Sequence, residues 1–484
     1  MELVSVNISQ MFFSAGVRSI FVTVLFVLAV YAVVSFLIKD EYKSALLGAW
    51  FMLFFFAYGH VYGVVEGMDL GGVIVGRHRF LFPIWLVLFG VGGVWMVRRS
   101  WNLKLPSRIF NLVSLVLLII PVVQIGVFEW QRARSVPDEG GMISMDTSPG
   151  VASVPMDQLP DVYYIILDGY PRQDMVLQYH DFDNGDFTRQ LESLGFYVPP
   201  CSQSNYAMTT LSLASSLNMD YLEGISANIH SIDFPDSIIH SRTRQFFEDL
   251  GYKTVSFESG IWFTEFHDAD TFIDQDRPIF GSFFDFTRLS EFEIMFVRTT
   301  VLRIVEESKA AWLDSLFQNP RKDIYNRILF EFDQLRDSPT LPGPKFVSIH
   351  ILAPHSTGLI FGADGSFEIS SFVDPALGNE LQYLNKRTLE AVQAILAGSK
   401  NPPIIILQSD HGLDPENRMA ILNAFHFPDD GSSVLYPTIT PVNTFRLVLN
   451  TYFGQDFQLL PDLSYYSSYE DMFAFTQVQY SCTP

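Results

Sequence analysis

The chain has 484 residues, 48% of them hydrophobic, and a formal net charge of −22 from 53 acidic against 31 basic side chains. That balance excludes nucleic acid as a partner, because neutralising phosphates takes a surplus of Lys and Arg. The length exceeds one ordinary domain, and a mean hydropathy of +0.20 is high for a soluble protein, which points to a membrane part.

Four apolar runs come before residue 130, at 19–38, 45–65, 80–97 and 109–128. A hydrocarbon core takes about 20 helical residues to cross, so 1–130 reads as a transmembrane domain of about four helices. No basic segment precedes the first run and further spans follow it, so it reads as a permanent anchor rather than a cleaved signal. The first and third loops carry Lys39, Lys43, Arg98, Arg99, Lys104 and Arg108; the second carries Arg77 and Arg79, and Arg132 and Arg134 follow the fourth span. This bias places loops one and three in the cytoplasm, and with an even number of spans everything after 130 lies outside it. His60 then sits at the outer end of the second span, near Arg77 and Arg79. These three read either as contacts to a lipid phosphate or, for the arginines, as ordinary interfacial anchors.

Residues 131–160 are rich in Pro, Gly, Ser and Asp without periodicity, as in a linker, and a second domain spans 161–484. The two cysteines, Cys201 and Cys482, both fall in this exported part. A disulfide and two unrelated buried thiols are both open readings. Short apolar runs, VYYIIL (162–167), KFVSIHIL (345–352), PIIILQ (403–408) and MAILNAF (419–425), alternate with helix-like segments at 324–336 and 380–396. This is the pattern of an α/β sandwich around a buried sheet.

Ligands of such sheets sit beyond the carboxyl ends of the strands. Here the first run ends on Asp168 and Gly169, the second on His350 and His355, and the third on Asp410, His411 and Gly412. One aspartate at a strand end is commonly a helix cap, but three ends rich in Asp and His form a mixed ligand set for a borderline divalent cation, zinc or manganese. His350, lying on an apolar strand, also reads as a core histidine bonded to backbone. His426 reads as structural.

YIILDGY (164–170), SNYAMTTLSLASSLN (204–218), HILAPH (350–355) and SDHG (409–412) resemble the ordered motifs of the alkaline phosphatase superfamily in its sulfatase-like branch. The layout is similar to that of membrane-anchored phosphoethanolamine transferases and lipoteichoic acid synthases. The resemblance implies a transmembrane domain followed by an alkaline phosphatase-like α/β/α sandwich. It implies a nucleophile at Thr209, with Thr210 as the alternative, sharing one metal ion with Asp168, Asp410 and His411. It also sets His350 and His355 near the substrate phosphate, with His355 as acid or base. Without the resemblance, either threonine reads as the cap of the helix through LSLASSLN. Cys201 is followed by SQSN, without the proline and arginine of formylglycine sulfatases. Ile351 lies four residues before His355, where two-metal relatives carry an aspartate. The expected function is phosphoryl or substituted-phosphoryl transfer, or hydrolysis, on lipid head groups or envelope polymers. The alternatives are a sulfuric ester or phosphodiester hydrolase and a non-catalytic envelope-binding protein.

Overall fold

The computed structural model describes residues 13–70, 73–99, 104–134, 155–226, 228–229, 232–275, 289, 291–308, 320–355, 358–370, 376–413, 418–468, 471–478 and 482. Residues 135–154, most of the expected linker, lie outside this set. The chain divides into two compact units, 1–134 with 277–320, and 135–276 with 321–484.

The first unit holds α1 (Phe13–Ile38), α2 (Glu41–Val65), α3 (His78–Arg98) and α4 (Lys104–Arg134), each long and apolar enough to cross a membrane. Many of their large apolar side chains, such as Phe36, Leu53, Val87 and Leu117, are exposed, as lipid-facing positions are. Asp40 starts α2 by accepting the Lys43 amide at 3.0 Å, which satisfies a donor the first turn leaves unpaired. Trp50 and Trp85 donate their indole N–H groups to the Phe89 and Phe54 carbonyls at 3.1 and 3.0 Å.

Two short helices from far along the chain, Glu291–Arg298 and Arg303–Glu306, also belong to this unit. In the sequence alone they fall within 161–484, the span read there as the second domain. Gly59 N donates to Thr299 O at 3.0 Å and Val301 N donates to Phe55 O at 2.9 Å, so one turn of α2 is bonded at both ends to this segment. A Cβ at position 59 would lie 1.9 Å from the Arg298 carbonyl oxygen, so only glycine allows the approach. Arg18 pairs with Glu293, and Arg303 reaches Glu66 at 3.0 Å and Glu307 at 2.7 Å.

The second unit is built on a six-stranded sheet of β1 (Val162–Leu167), β2 (Lys253–Phe257), β3 (Thr271–Ile273), β4 (Lys345–Ile351), β5 (Ile404–Gln408) and β6 (Asn423–His426). The spatial order is β6-β5-β1-β4-β2-β3, parallel throughout except for β6, which runs antiparallel to β5. The run at 419–425 reads in sequence as one strand. Only its second half enters the ladder, and Ala420 and Ile421 make isolated bridges to Gln203 and Pro171.

Strand side chains alternate between faces, and each face is covered by helices. Tyr163, Ile165 and Leu167 pack with Ile328, Phe332, Leu381 and Val392 on one side. Val162, Tyr164 and Ile166 pack with Leu211, Leu217, Phe247 and Phe445 on the other. The central strands are thus buried on both faces, which is why they read as largely apolar runs. The helices expected at 324–336 and 380–396 are Pro320–Asp337 and Ala376–Gly398. Cys201 and Cys482 are joined by a disulfide.

Candidate active site

In the parallel sheet β5, β1 and β4 are neighbours, with Ile166 paired to both His350 and Gln408. Their carboxyl ends therefore deliver Asp168, His350, His355, Asp410 and His411 to one place. Thr209 arrives from the other direction, as the first residue of the Thr209–Asn218 helix. Its hydroxyl lies 3.3 Å from His411 Nε2. The N-cap of that helix is Met208, without a side-chain cap bond, so the threonine faces the histidine rather than capping. Among the described residues, Thr210 forms no hydrogen bond with this cluster.

The backbone here is held tightly. Gly169 N and His411 N both donate to Asp410 Oδ1 at 3.0 Å. Ser212, one turn into the helix, donates to the Asp410 carbonyl at 2.7 Å, fixing the start of the helix against the turn that carries Asp410 and His411. Gly169 has φ +68, and a Cβ there would sit 2.3 Å from His355 Cβ. Any other residue is strained there and also displaces the histidine. His355 N donates to Asp168 O at 3.0 Å, which closes this turn against the loop after β4.

Asp168 lies at the centre. Its Oδ1 is 3.3 Å from His355 Nδ1 and 3.7 Å from His411 Nε2, while its Oδ2 is 3.7 Å from His350 Nε2. Asp410 Oδ2 is 3.5 Å from His411 Nε2. Two groups of three possible ligands result, Asp168 with His355 and His411, and Asp168 with His350 and Asp410, each with ligand atoms within 4.8 Å of one another. The set expected from sequence draws on both groups. His350 does not bond to backbone: its Nδ1 meets the Thr264 hydroxyl at 3.2 Å.

These residues fit a divalent cation. His350 Nε2 and Asp410 Oδ2 are buried without a hydrogen-bond partner, and such groups are costly to leave unpaired. His411 Nδ1 lies 2.9 Å from the Gly412 carbonyl. That bond places the ring proton on Nδ1 and turns the Nε2 lone pair into the site, the usual way a ligating imidazole is oriented. Burial lowers the His411 pKa, with Arg418 and His355 pressing the same way against the pull of Asp410 and Asp168. Burial works against ionisation of Asp410, but the neighbouring His411 and His350 and the amide of Gly169 outweigh it and lower its pKa. A neutral imidazole beside an ionised carboxylate is the state that binds a metal.

Sequence reasoning passed over Thr264, which fixes His350, and Arg418, whose guanidinium reaches His411 Nε2 at 3.1 Å. Neither stands in a motif. His426 is structural as expected, with Nδ1 2.8 Å from the Pro403 carbonyl. In the membrane unit His60, Arg77 and Arg79 are exposed, and Arg79 lies over the Phe80 ring at 4.8 Å. The histidine engaged there is His78, between the Tyr58 hydroxyl at 2.8 Å and Glu307 at 3.0 Å.

No family model matches the chain, and no curated protein matches it. Solved structures similar to it include the C-terminal periplasmic domain of EcEptC from Escherichia coli in complex with Zn, at 12% identity and a TM-score of 0.41, covering 66% of this chain and 92% of that one. The integral membrane lipooligosaccharide phosphoethanolamine transferase A (EptA) from Neisseria meningitidis is 12% identical, covering 92% of this chain and 85% of that one, with a TM-score of 0.38. The lipoteichoic acid synthase LtaP from Listeria monocytogenes is 12% identical, covering 63% and 77%, with a TM-score of 0.36. With TM-scores below 0.5 these are distant likenesses, and the fold and the site stand on the chain's own geometry.

Proposed function

We propose that the chain is a membrane-anchored, sulfatase-like enzyme of the alkaline phosphatase superfamily that transfers a phosphoryl or substituted-phosphoryl group outside the cytoplasm. One observation carries the reading. The Thr209 hydroxyl meets His411 Nε2 beside two buried carboxylates, where His350 Nε2 and Asp410 Oδ2 point inward unpaired.

Asp168, Asp410 and His411, with Thr209 itself, would hold a zinc or manganese ion. Such an ion lowers the pKa of the threonine hydroxyl and offsets charge on the phosphoryl oxygens. Thr209 Oγ1, deprotonated, forms a bond to phosphorus as the bond from phosphorus to the leaving oxygen breaks. His355 is 29% exposed, more open to solvent than Asp168, His350, Asp410 and His411. With Nδ1–H directed at Asp168, its Nε2 gives a proton to the leaving oxygen. An acceptor hydroxyl then bonds phosphorus, its proton returns to His355 Nε2, and the bond from Thr209 to phosphorus breaks. Lipid head groups and envelope polymers are the substrate class, because tethering beside a bilayer raises the effective concentration of such molecules.

The test is to incubate the purified protein with lipid phosphodiesters, quench at low pH, and sequence the modified peptide by mass spectrometry. A phosphorylated or head-group-modified Thr209 is expected, absent in Thr209→Ala and retained in Thr210→Ala. Full turnover in both variants overturns the covalent reading.

A further inference from the structure

Among the described residues after 134, only those between 277 and 320 belong to the first unit, and their contacts fall at three helix ends. Glu293 pairs with Arg18 near the start of α1. Thr299 O and Val301 N bond Gly59 and Phe55 in the last turns of α2, and Arg303 reaches Glu66 just beyond them. Glu307 accepts the Tyr62 hydroxyl at 3.3 Å and lies 3.0 Å from His78 Nε2, at the start of α3. Four spans that alternate in direction put the start of α1, the end of α2 and the start of α3 on one side, the side on which α4 ends.

We propose that residues 291–308 are a docking segment that clamps the exported unit to the outer ends of α1, α2 and α3, and that the clamp directs the enzyme to lipid phosphodiesters of its own outer leaflet. The second half rests on the phosphoryl-transfer reading above. The surface is built for this segment, since Gly59 leaves room for the Arg298 carbonyl where any side chain would collide with it. Met295 and Leu302 stay exposed at 36% and 41%, as apolar side chains do at the level where head groups meet acyl chains. Chain length decides what docking achieves. Fully extended, Arg134 to Pro155 spans about 70 Å, whereas Ser308 to Pro320 spans only about 40 Å. With the segment docked, the shorter connection limits the reach of the catalytic unit and raises its effective concentration at the lipid surface. A soluble substrate gains nothing from that.

The experiment uses the full chain, loaded with zinc, in vesicles of phosphatidylethanolamine and phosphatidylglycerol, with a site for a specific protease inserted within 135–154. A single cut there severs the linker and leaves the second unit joined to residues 277–320. The cut parent fragment is expected to stay with the vesicles through a salt wash. Arg303→Glu, which faces Glu66 and Glu307 with a like charge, and Gly59→Leu, which collides with the Arg298 carbonyl, are expected to send most of it to the supernatant. In uncut protein both variants should lower kcat/KM on vesicle phosphatidylethanolamine by roughly twofold or more, as the change in tether length requires. On water-soluble glycerophosphoethanolamine they should match the parent. Release of the cut parent fragment overturns the clamp, and so does its retention in both variants. Equal losses on the two substrates overturn the link to lipid. A parent that keeps its cut fragment but turns over neither substrate overturns the transfer reading while the clamp stands.

Discussion

Glu380 provides a stability test with a worked magnitude. It lies on the Ala376–Gly398 helix, fully buried, and its Oε2 accepts the Ile360 amide at 2.6 Å and the Phe361 amide at 3.2 Å. These amides belong to the Leu359–Phe361 strand of the hairpin that follows His355 in the chain. Oε1 has no partner. Burial raises the Glu380 pKa from 4.5 to about 8, with the two backbone bonds pulling only partly back. The folded chain then binds a proton that the unfolded chain releases between those two values. The contribution to stability is full below about pH 4.5, declines as pH rises through the window, and is lost above about pH 8. Each pKa unit corresponds to about 1.4 kcal/mol, so the loss across the window has a ceiling of about 5 kcal/mol, to be taken as an order of magnitude. Glu380→Gln keeps an acceptor for both amides and resembles the protonated acid. Its unfolding midpoint should therefore change less between pH 5 and 8 than that of the parent, and it should be the more stable protein at pH 8. Hydrogen exchange at Ile360 and Phe361 should quicken with pH in the parent beyond the intrinsic rate, but not in the variant. Parallel pH profiles for the two proteins would refute the reasoning.

Asp168 belongs to both ligand groups, so Asp168→Asn should abolish tight divalent-metal binding. Asp410→Ala and His355→Ala each break one group and so distinguish which holds the ion; elemental analysis decides, and a full ion in Asp168→Asn counts against the site. Cys482→Ser opens a link between residues 281 apart in sequence. Chain entropy sets the stability loss at roughly 5–6 kcal/mol at most, measured by denaturant unfolding under non-reducing conditions, and an unchanged midpoint would show that the link is dispensable. For topology, protease added to spheroplasts should release a fragment from the second unit, and its complete protection would reverse the orientation taken from the loop charges.

What was legible in the sequence is what local physics dictates. A run of apolar residues long enough to cross a bilayer becomes a helix in that setting, because no other structure satisfies its backbone there. The spans read at 19–38, 45–65, 80–97 and 109–128 lie within α1 to α4 accordingly. Strands buried on both faces are predominantly apolar, so β1, β4 and β5 stand out, and the change of chemistry at their ends marks Asp168, His350 and Asp410. The inner strand β2 and the edge strand β3 do not stand out, since short runs such as KTVSF and TFI carry little periodicity.

Tertiary structure decided everything that depends on chain return. Thr209 and His411 stand 202 residues apart, and only the parallel order of β5, β1 and β4 brings their elements together. Arg418 is seven residues from His411, but its guanidinium is also held by the Ala207 carbonyl on another part of the chain. The Glu291–Arg298 helix lies in sequence within the second domain, and it is its ion pair with Arg18 and the backbone bonds of Thr299 and Val301 just after it to Gly59 and Phe55 that join it to the first unit. Hydropathy and spacing report how a segment meets solvent or lipid. They carry no information about which distant carbonyl, carboxylate or ring nitrogen a polar side chain meets once the chain has closed on itself.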